Sequence, residues 1–526
     1  MNNKIYLDIT SILKDDILTM SKKNVTPVSW SEFINIESEV KILLNSIINE
    51  NINNKPISDL LLINYKVFIE LSNLIFNQIA ICQSNLDVVY DSESIYYKGF
   101  DQQGIPGRSI INSVDIVKPK LKKRIKNKLK WIKLFLKLNK LTDIFYFSKI
   151  DYMLFESDSQ YTLEHLKNRN SLKIPINLTQ IINRKEGKRK VSEEDMNYSN
   201  FLTKLIKNRF NELLTKYHID QSDEMSIYIE RFLKAVFENS LFYSGTFDEY
   251  LKNKKPLNLF IGSNNNMLLR SFSVLVRKYG GRVSAFTHGE PLVYDWDKIT
   301  WMELTLADEY FDYTPGLSNS LKKMIKLNPP ANNNKIKISS FNTSYFKNTY
   351  ENIKNTSSAS NSVMFVTNEF VREGQLSQVS SFPNSIQFDF ETRLMTHLSK
   401  KFDKVYYKKH PGGILKKEQT RFFPKNVIIV DKPFETVLNL SNNIIFGHSR
   451  TTAIGSVLAT NKKVVLFNGQ WEKMESDIFE TLKKQIFILK YSEVDHRLMI
   501  NFDDLDKILL SDESKDLSFY NNYLKA

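Results

Sequence analysis

The chain has 526 residues, one cysteine and a formal net charge of +14, and 42% of its residues are hydrophobic and 12% aromatic. This length is too great for one hydrophobic core, so two or three domains are expected, and the composition excludes a disordered protein. The single cysteine, Cys82, excludes an intramolecular disulfide framework. Neither a signal peptide nor a membrane-spanning stretch is recognisable, so we expect a cytoplasmic protein.

The N-terminal half is predicted to be largely helical. Apolar residues recur at helical spacing within residues 36–82 and again within residues 200–237. Residues 86–90 are compatible with a strand, and the charge-rich segment 184–195 is expected to be a loop.

The positive charge is concentrated between residues 116 and 142, where no acidic residue occurs. Apolar residues at helical spacing between the lysines predict a basic amphipathic helix near residues 119–140. One interpretation is a surface helix whose apolar stripe packs on its own domain. The other is a helix on an anionic membrane surface, which salt-sensitive binding to anionic liposomes would support. The membrane-contacting residues would then be Lys122, Lys123, Arg124, Lys126, Lys130 and Trp131. No nucleic-acid-binding motif accompanies the charge, so nucleic acid is not an expected partner.

The second half alternates between predicted strands and helices. A strand at 257–262, a helix at 264–279 that ends at Gly280-Gly281, and a strand at 282–287 form a predicted βαβ unit. A strand at 307–313 and a helix at 317–327 follow. This alternation predicts an α/β fold with a parallel sheet.

A second alternation begins after two turn-rich segments at 329–334 and 355–362. Predicted strands lie at 363–367, 404–408, 427–430 and 443–447, and a final one at 463–467, with helices predicted at 387–402, 433–440 and 451–460. The pattern predicts a doubly wound parallel sheet. We therefore expect an N-terminal domain of residues 1–345 and a C-terminal domain of residues 346–526.

Polar residues follow three of the predicted strands. In an open parallel sheet, ligands bind outside the carboxyl ends of the strands. A cationic group, histidines and a hydroxyl-rich helix start suit a phosphate-bearing ligand and need no metal or other cofactor. The residues in question are His288 and Glu290, then Lys409, His410, Pro411 and Gly412, and finally Ser449, Arg450, Thr451 and Thr452.

The order of these motifs across residues 255–470 resembles that of bacterial surface-polysaccharide transferases with the GT-B fold. These include the capsule and O-antigen Kdo transferases, the bacterial sialyltransferases with an HP motif, and the CDP-glycerol glycerophosphotransferases of teichoic acid synthesis. The resemblance implies two Rossmann-like domains facing a cleft, with extra helices in the N-terminal half. It also implies a glycosyltransferase at the inner face of the bacterial membrane. Such an enzyme would move a sugar from a nucleotide-activated donor, of the CMP-linked Kdo or ulosonic acid type, to a surface polysaccharide or glycolipid.

The resemblance also implies roles for individual residues. His410 would contact the donor phosphate or cytidine beside Lys409, Pro411 and Gly412. The hydroxyl cluster that opens the helix after residue 448 would bind the donor phosphate. His288, with Glu290 in the same loop, would act as a base on the acceptor side, the alternative being that it only bonds a loop carbonyl.

The chain departs from the family pattern at one point that matters for donor recognition. Many GT-B enzymes carry a glutamate one turn into the helix after the hydroxyl cluster, where residues 453–456 of this chain contain no acid. Ribose recognition by a carboxylate is therefore not expected there. Two other functions stay open: a CDP-polyol phosphotransferase of the teichoic acid type and a non-catalytic GT-B scaffold.

Overall fold

A computed structural model gives the fold. It describes residues 4–6, 29–69, 72, 75, 79, 87–89, 133, 135, 138, 152–155, 166, 172–185, 192–219, 223–252, 254, 257–262, 266–287, 303–327, 336–341, 343–353, 361–367, 370, 384–410, 422–449, 451, 453–469 and 474–525. The predicted site residues His288, Glu290, Pro411, Gly412, Arg450 and Thr452 lie outside the described residues. The same holds for the six predicted membrane-contacting residues between positions 122 and 131.

Two six-stranded sheets, each with all of its strands parallel, organise the chain. A short parallel pair, β1 (Lys4–Tyr6) and β2 (Asp87–Val89), precedes them. The first large sheet contains β3 (Tyr152–Phe155), β4 (Leu172–Pro175), β5 (Asn258–Ile261), β6 (Arg282–Phe286), β7 (Glu309–Asp312) and β8 (Lys337–Ser340), in the order β4-β3-β5-β6-β7-β8. The prediction of a second parallel sheet in the 257–327 region is confirmed.

The second large sheet is doubly wound. It contains β9 (Ser362–Val366), β10 (Lys404–Lys408), β11 (Val427–Val430), β12 (Asn443–Phe446), β13 (Lys463–Asn468) and β14 (Phe487–Lys490), in the order β11-β10-β9-β12-β13-β14. Counted along the chain this is the order 3-2-1-4-5-6 of a dinucleotide-binding fold. Every residue of β9 is buried, as expected for a central strand covered on both faces. A small antiparallel hairpin, β15 (Ser492–Val494) and β16 (Arg497–Met499), follows.

Helices cover the sheets and form most of the N-terminal half. The α-helices are α1 (Trp30–Glu50), α2 (Lys55–Ile69), α3 (Leu178–Lys185), α4 (Glu193–Lys216), α5 (Asp223–Leu251), α6 (Met267–Lys278), α7 (Pro315–Leu327), α8 (Tyr345–Ile353), α9 (Asn384–Leu398), α10 (Ala453–Leu458), α11 (Ser476–Gln485) and α12 (Phe502–Leu510). Buried apolar residues of α1, α2, α4 and α5 belong to one cluster with residues of the second sheet. The extra helices therefore share a core with the C-terminal part of the chain.

The end of α6 shows why two glycines stand there. Gly280 has a φ of 75°, which favours glycine, and its N–H donates to the carbonyl of Arg277 at 3.0 Å. The N–H of Gly281 donates to the carbonyl of Val276 at 2.9 Å, which completes a Schellman motif. A Cβ at Gly281 would lie 2.3 Å from the carbonyl oxygen of Leu257. The predicted C-cap is confirmed, and it turns the chain directly into β6.

Several predicted elements differ from the structure. The predicted helix 200–237 is two helices, because the chain turns after Lys216 and His218 has a φ of 54° that no right-handed helix accepts. The prediction of a loop at 184–195 is wrong at both ends, which are helical. A capping box between Ser192 and Asp195 starts α4 there, and α3 extends to Lys185. The predicted helix 433–440 is two short 3₁₀ turns, Phe434–Thr436 and Leu438–Leu440, separated by Val437 at a φ of −121°.

Four strands of the large sheets were missed, namely β3, β4, β8 and β14. The strand at 463–467 was expected to be the last, but β14 pairs with β13 beyond it, with Val465 opposite Phe487. The first sheet also contains β3 and β4, which come from a segment without a clear alternating pattern. β8 lies between the two turn-rich segments and has one buried residue, Ile338, so it lacks the apolar run by which the other strands were predicted.

The C-terminal end of the chain returns to the first sheet. A π-helical turn, Tyr520–Leu524, packs against α7, and the hydroxyl of Thr314 donates to the carbonyl of Tyr523. A Cβ at Gly316 would lie 2.5 Å from the carbonyl oxygen of Asn522, so this close approach requires glycine. The last residues are therefore attached beside the carboxyl end of β7.

The basic segment is described at three positions, all helical. Lys133 is exposed and Phe135 is half-buried, whereas Leu138 is buried in a cluster with Phe260, Phe286 and Phe311 of the first sheet. This end of the helix therefore packs on its own domain, as the first interpretation of the segment expects. In the parts of the chain that the structure describes, no helix combines the length and apolarity needed to cross a bilayer.

Candidate functional site

The order of strands in the second sheet defines a candidate ligand site. From β9 the chain moves outward to β10 and β11 on one side, and later returns to β12 on the other side. Such a reversal opens a crevice at the carboxyl ends of the two central strands, and ligands of open α/β sheets bind there. Thr367 follows β9 and Gly447 follows β12, so these two residues border the crevice.

Hydrogen bonds hold the strand exits around the crevice in register. The N–H of Thr367 donates to the carbonyl of Lys408 at 3.2 Å, and the N–H of Gly447 donates to the carbonyl of Val366 at 3.4 Å. The hydroxyl of Tyr491, just after β14, donates to the carbonyl of Gly447 at 2.6 Å. The backbone that a ligand would meet is therefore positioned by neighbouring strands.

The exit of β10 presents basic residues to this edge. The Nζ of Lys408 is buried and donates to the carbonyl of Lys409 at 2.6 Å, and burial lowers its pKa. Lys409 is half-buried and its Nζ lies 3.1 Å from a carboxylate oxygen of Asp431. His410 follows, also half-buried. The charge of Lys409 is thus partly neutralised by Asp431. His410, the next residue, is therefore the second candidate for contact with a phosphate.

The exit of β12 presents hydroxyl and imidazole groups. His448 and Ser449 are buried, whereas Thr451 is half-buried and its hydroxyl accepts a hydrogen bond from the N–H of Ala453 at 3.3 Å. The Thr451 hydroxyl therefore satisfies the first backbone N–H of α10 through a local turn. The predicted helix 451–460 is shorter in the structure, with six residues in α10. A helix this short adds little dipole, so side chains and loop N–H groups must carry any phosphate contact.

The structure brings two of the three predicted groups to one edge. Lys409 and His410 follow β10, and Ser449 and Thr451 follow β12, on either side of β9. With neighbouring strands spaced at about 4.8 Å, the two exits lie roughly 10 Å apart, enough for a phosphate group between them. The third group, His288 and Glu290, follows β6 of the other sheet but lies outside the described residues.

The carboxyl edges of the two sheets come close to one another at α8. This helix begins at Tyr345, shortly after β8, and the hydroxyls of Tyr345 and Ser456 are 2.8 Å apart. Ser456 belongs to α10, the helix after the β12 exit. Ser320 of α7 also donates to a carboxylate oxygen of Glu475 at 3.5 Å. Helices that follow strands of the first sheet therefore contact helices that follow strands of the second.

A buried carboxyl group, which was not predicted from the sequence, lies beneath the β9 and β10 exits. Glu391 of α9 accepts hydrogen bonds from Tyr407 at 2.5 Å, from Gln387 at 2.9 Å and from the hydroxyl of Thr367. Burial raises the pKa of Glu391 to about 7, while the three hydrogen bonds act in the opposite direction. An acid within a predicted helix looks like a surface residue, so only the tertiary structure reveals this group.

Replacing Glu391 with glutamine is expected to flatten the dependence of stability on pH. Because the folded-state pKa is raised, the folded protein binds the proton more tightly, and its stability falls as pH rises from about 4.5 to 7. At about 1.4 kcal/mol per pH unit, this loss is at most about 3 kcal/mol by pH 8. Denaturant unfolding of Glu391→Gln between pH 5 and 8 should therefore show a smaller decline than wild type. Parallel curves for the two proteins would contradict this assignment.

A second buried carboxyl lies at the carboxyl edge of the first sheet. Asp312, the last residue of β7, is 4% exposed and accepts a hydrogen bond from the N–H of Tyr313 at 2.8 Å. Burial raises the pKa of Asp312 to about 7. Asp312 ends a strand that was predicted from the sequence, so the rule that singled out His288 also applies to Asp312. It was not predicted as a site residue, because the strand was expected to extend to residue 313 and the burial of Asp312 depends on the tertiary structure.

Within the described part of the chain, no group of three or more histidine, cysteine, aspartate or glutamate side chains is arranged to hold a metal ion. No protein-family model matches the chain, and no curated protein is significantly similar to it.

Proposed function

We propose that the protein is a GT-B glycosyltransferase that builds a cell-surface polysaccharide or glycolipid from a nucleotide-activated sugar. The donor nucleotide would bind in the crevice of the second sheet, with its phosphate between the β10 and β12 exits. The acceptor would bind at the carboxyl edge of the first sheet, with His288 and Glu290, which follow β6 in the sequence, on the acceptor side. The motif order in the sequence favours a CMP-linked donor of the Kdo or ulosonic acid type.

The main support for this proposal is the strand order of the second sheet. The 3-2-1-4-5-6 order of the second sheet opens its crevice where Lys409, His410, Ser449 and Thr451 follow their strands. A departing nucleotide phosphate gains negative charge as the sugar leaves, and cationic and hydroxyl groups stabilise that charge. These residue types therefore match the chemical demand of the donor side of the reaction.

The packing between the sheets supports a cleft between donor and acceptor. The hydroxyl contact between Tyr345 and Ser456 joins the carboxyl edge of the first sheet to the helix after β12. A sugar held near the β12 exit would then lie next to groups of the first sheet. Transfer requires that the acceptor hydroxyl and the donor carbon approach within about 3–3.5 Å, which such a cleft allows.

A panel of nucleotides tested by thermal shift and by transfer assay checks the proposal. CMP is expected to raise the unfolding temperature more than CDP, UDP or GDP, and a CMP-linked sugar to be consumed when acceptor is present. Preferential stabilisation by CDP would instead support a CDP-polyol phosphotransferase. Stabilisation by none of the four nucleotides would refute a nucleotide-dependent transferase and leave the non-catalytic scaffold.

A further inference from the structure

A polar cavity of about 620 Å³ lies at the amino edge of the second sheet, at the opposite ends of the strands from the crevice. Asn361, Asn442 and Asn461 line this cavity, and they come just before β9, β12 and β13, three neighbouring strands of the sheet. The segment that follows α12, from Ser511 to Lys515, also lines it. The cavity is therefore separate from the site proposed for the donor nucleotide.

The pairing of the strands sets the three asparagines in a row, called here the amide row. β12 pairs in parallel with β9 on one side and with β13 on the other. Continued to the starts of the strands, this register places Asn361 and Asn461 at one level, with Asn442 one residue further along the middle strand. Because neighbouring strands are about 4.8 Å apart, the amide row spans roughly 10 Å.

The amide row keeps hydrogen-bonding groups that a ligand can use. All three asparagines are exposed. Neither Asn361 nor Asn461 makes a side-chain hydrogen bond to another described residue. The side-chain oxygen of Asn442 accepts from the Nζ of Lys462 at 3.4 Å, which leaves its NH₂ group without a partner among the described residues. Each amide can both donate and accept, so the row suits a ligand whose groups also do both.

Two lysines hold the cavity in shape. The buried Nζ of Lys462 donates to the carbonyl of Ser441 at 2.8 Å, just before β12. The Nζ of Lys463 donates to the carbonyl of Ile508 at 2.8 Å and to that of Ser511. These bonds attach the end of α12 and the segment after it to the start of β13. The lining is therefore positioned by contacts between distant segments before any ligand binds.

The charges around the cavity favour a neutral polar ligand over a simple anion. The Nζ of Lys515 lies 4.5 Å from the ring centre of Phe487 and 3.5 Å from a carboxylate oxygen of Glu513. Asp512 also lines the cavity. Carboxylates beside a site repel phosphate or sulfate, whereas amides, carboxylates and ammonium groups can all form hydrogen bonds with hydroxyl groups. The lining therefore matches a ligand that is rich in hydroxyl groups.

We propose that this cavity is a second saccharide-binding site, which holds a stretch of the surface polysaccharide away from the crevice. Its volume lies within the range of about 300–1,000 Å³ typical of small-molecule sites. The five residues of β9 separate the two edges by roughly 17 Å. A polysaccharide held at the amino edge stays close to the enzyme between additions, which raises its effective concentration at the crevice. Saccharide binding is independent of the proposed transferase function, and only this benefit to chain extension rests on it.

Oligosaccharide binding without any nucleotide tests the site. The probe is an array of bacterial surface glycans, followed by calorimetry with the oligosaccharide that binds best. We expect the double variant Asn442→Ala/Asn461→Ala to bind it about 10- to 30-fold more weakly, since each lost hydrogen bond weakens binding several-fold. Ser514→Trp, which adds a large ring to the lining, is expected to abolish binding. The control is Asn53→Ala, an exposed asparagine in the turn between α1 and α2, which should bind as wild type.

The outcomes separate this inference from the proposed function. A wild-type protein that binds no glycan of the array overturns the saccharide site. Binding that survives in both the double variant and Ser514→Trp places the saccharide elsewhere and also overturns it. Competition by inorganic phosphate, equal in wild type and at low and high saccharide concentration, would show an anion site instead. A protein that binds saccharide at this cavity but responds to no nucleotide loses only the transferase function.

Discussion

Replacing His410 with alanine is expected to lower kcat by about 10²- to 10³-fold and to remove most of the stabilisation by nucleotide, with the fold unchanged. His410 follows β10 on one side of the crevice, and its neighbour Lys409 is already paired with Asp431 at 3.1 Å. Loss of one group that stabilises charge in a transition state typically costs about 10²- to 10³-fold in kcat. Because a half-buried imidazole at a strand exit contributes little to the core, unfolding without ligand should be nearly unaffected.

Nucleotide-dependent thermal shifts and steady-state transfer assays measure this effect. His496→Asn is a suitable control, because His496 is exposed in the turn between β15 and β16 and its φ of 60° is tolerated by asparagine. We expect that control to behave as wild type. A folded His410→Ala protein with wild-type turnover would refute the assignment of His410 to the donor side.

Replacing Asp389 with alanine is expected to cause the largest loss of stability. The Asp389 side chain is 2% exposed and pairs with Arg393 of its own helix, α9, at 2.8 Å. It also pairs with Arg497 of the hairpin β15–β16, and Arg393 donates to the carbonyl of Leu498 at 2.6 Å. Removing this carboxylate leaves two guanidinium groups, 24% and 15% exposed, without their buried counter-charge. Such a loss typically costs about 3–5 kcal/mol.

Denaturant unfolding of Asp389→Ala beside Lys507→Ala checks this expectation. Lys507 pairs with Asp504 at 3.4 Å, with side chains 78% and 47% exposed. Removing an exposed pair of this kind changes the unfolding free energy by about 0.2–1 kcal/mol. Equal losses in the two variants would show that the Asp389 cluster does not hold the hairpin on α9.

The periodicity of apolar residues was sufficient to predict those elements of the fold that depend on neighbouring residues in the chain. Short apolar runs followed by helical stripes predicted β5, β6 and the strands from β9 to β13, because a buried parallel strand must be apolar on both faces. Gly280 and Gly281 predicted the end of α6 for an equally local reason, since only glycine adopts the required φ without cost. The strand exits that carry Lys409, His410, Ser449 and Thr451 were predicted in the same way.

Other features were decided by contacts between segments far apart in the chain. The order of the strands, and therefore the crevice beside β9, depends on which strands pair with each other. Strand pairing cannot be predicted from a local sequence pattern. Burial raises the pKa of Asp312 and of Glu391 to about 7, whereas Asp389 is held between two arginines. The sequence alone does not distinguish one carboxyl group from another. Its surroundings in the folded protein decide whether it is solvated, titrates near neutrality or holds two elements together.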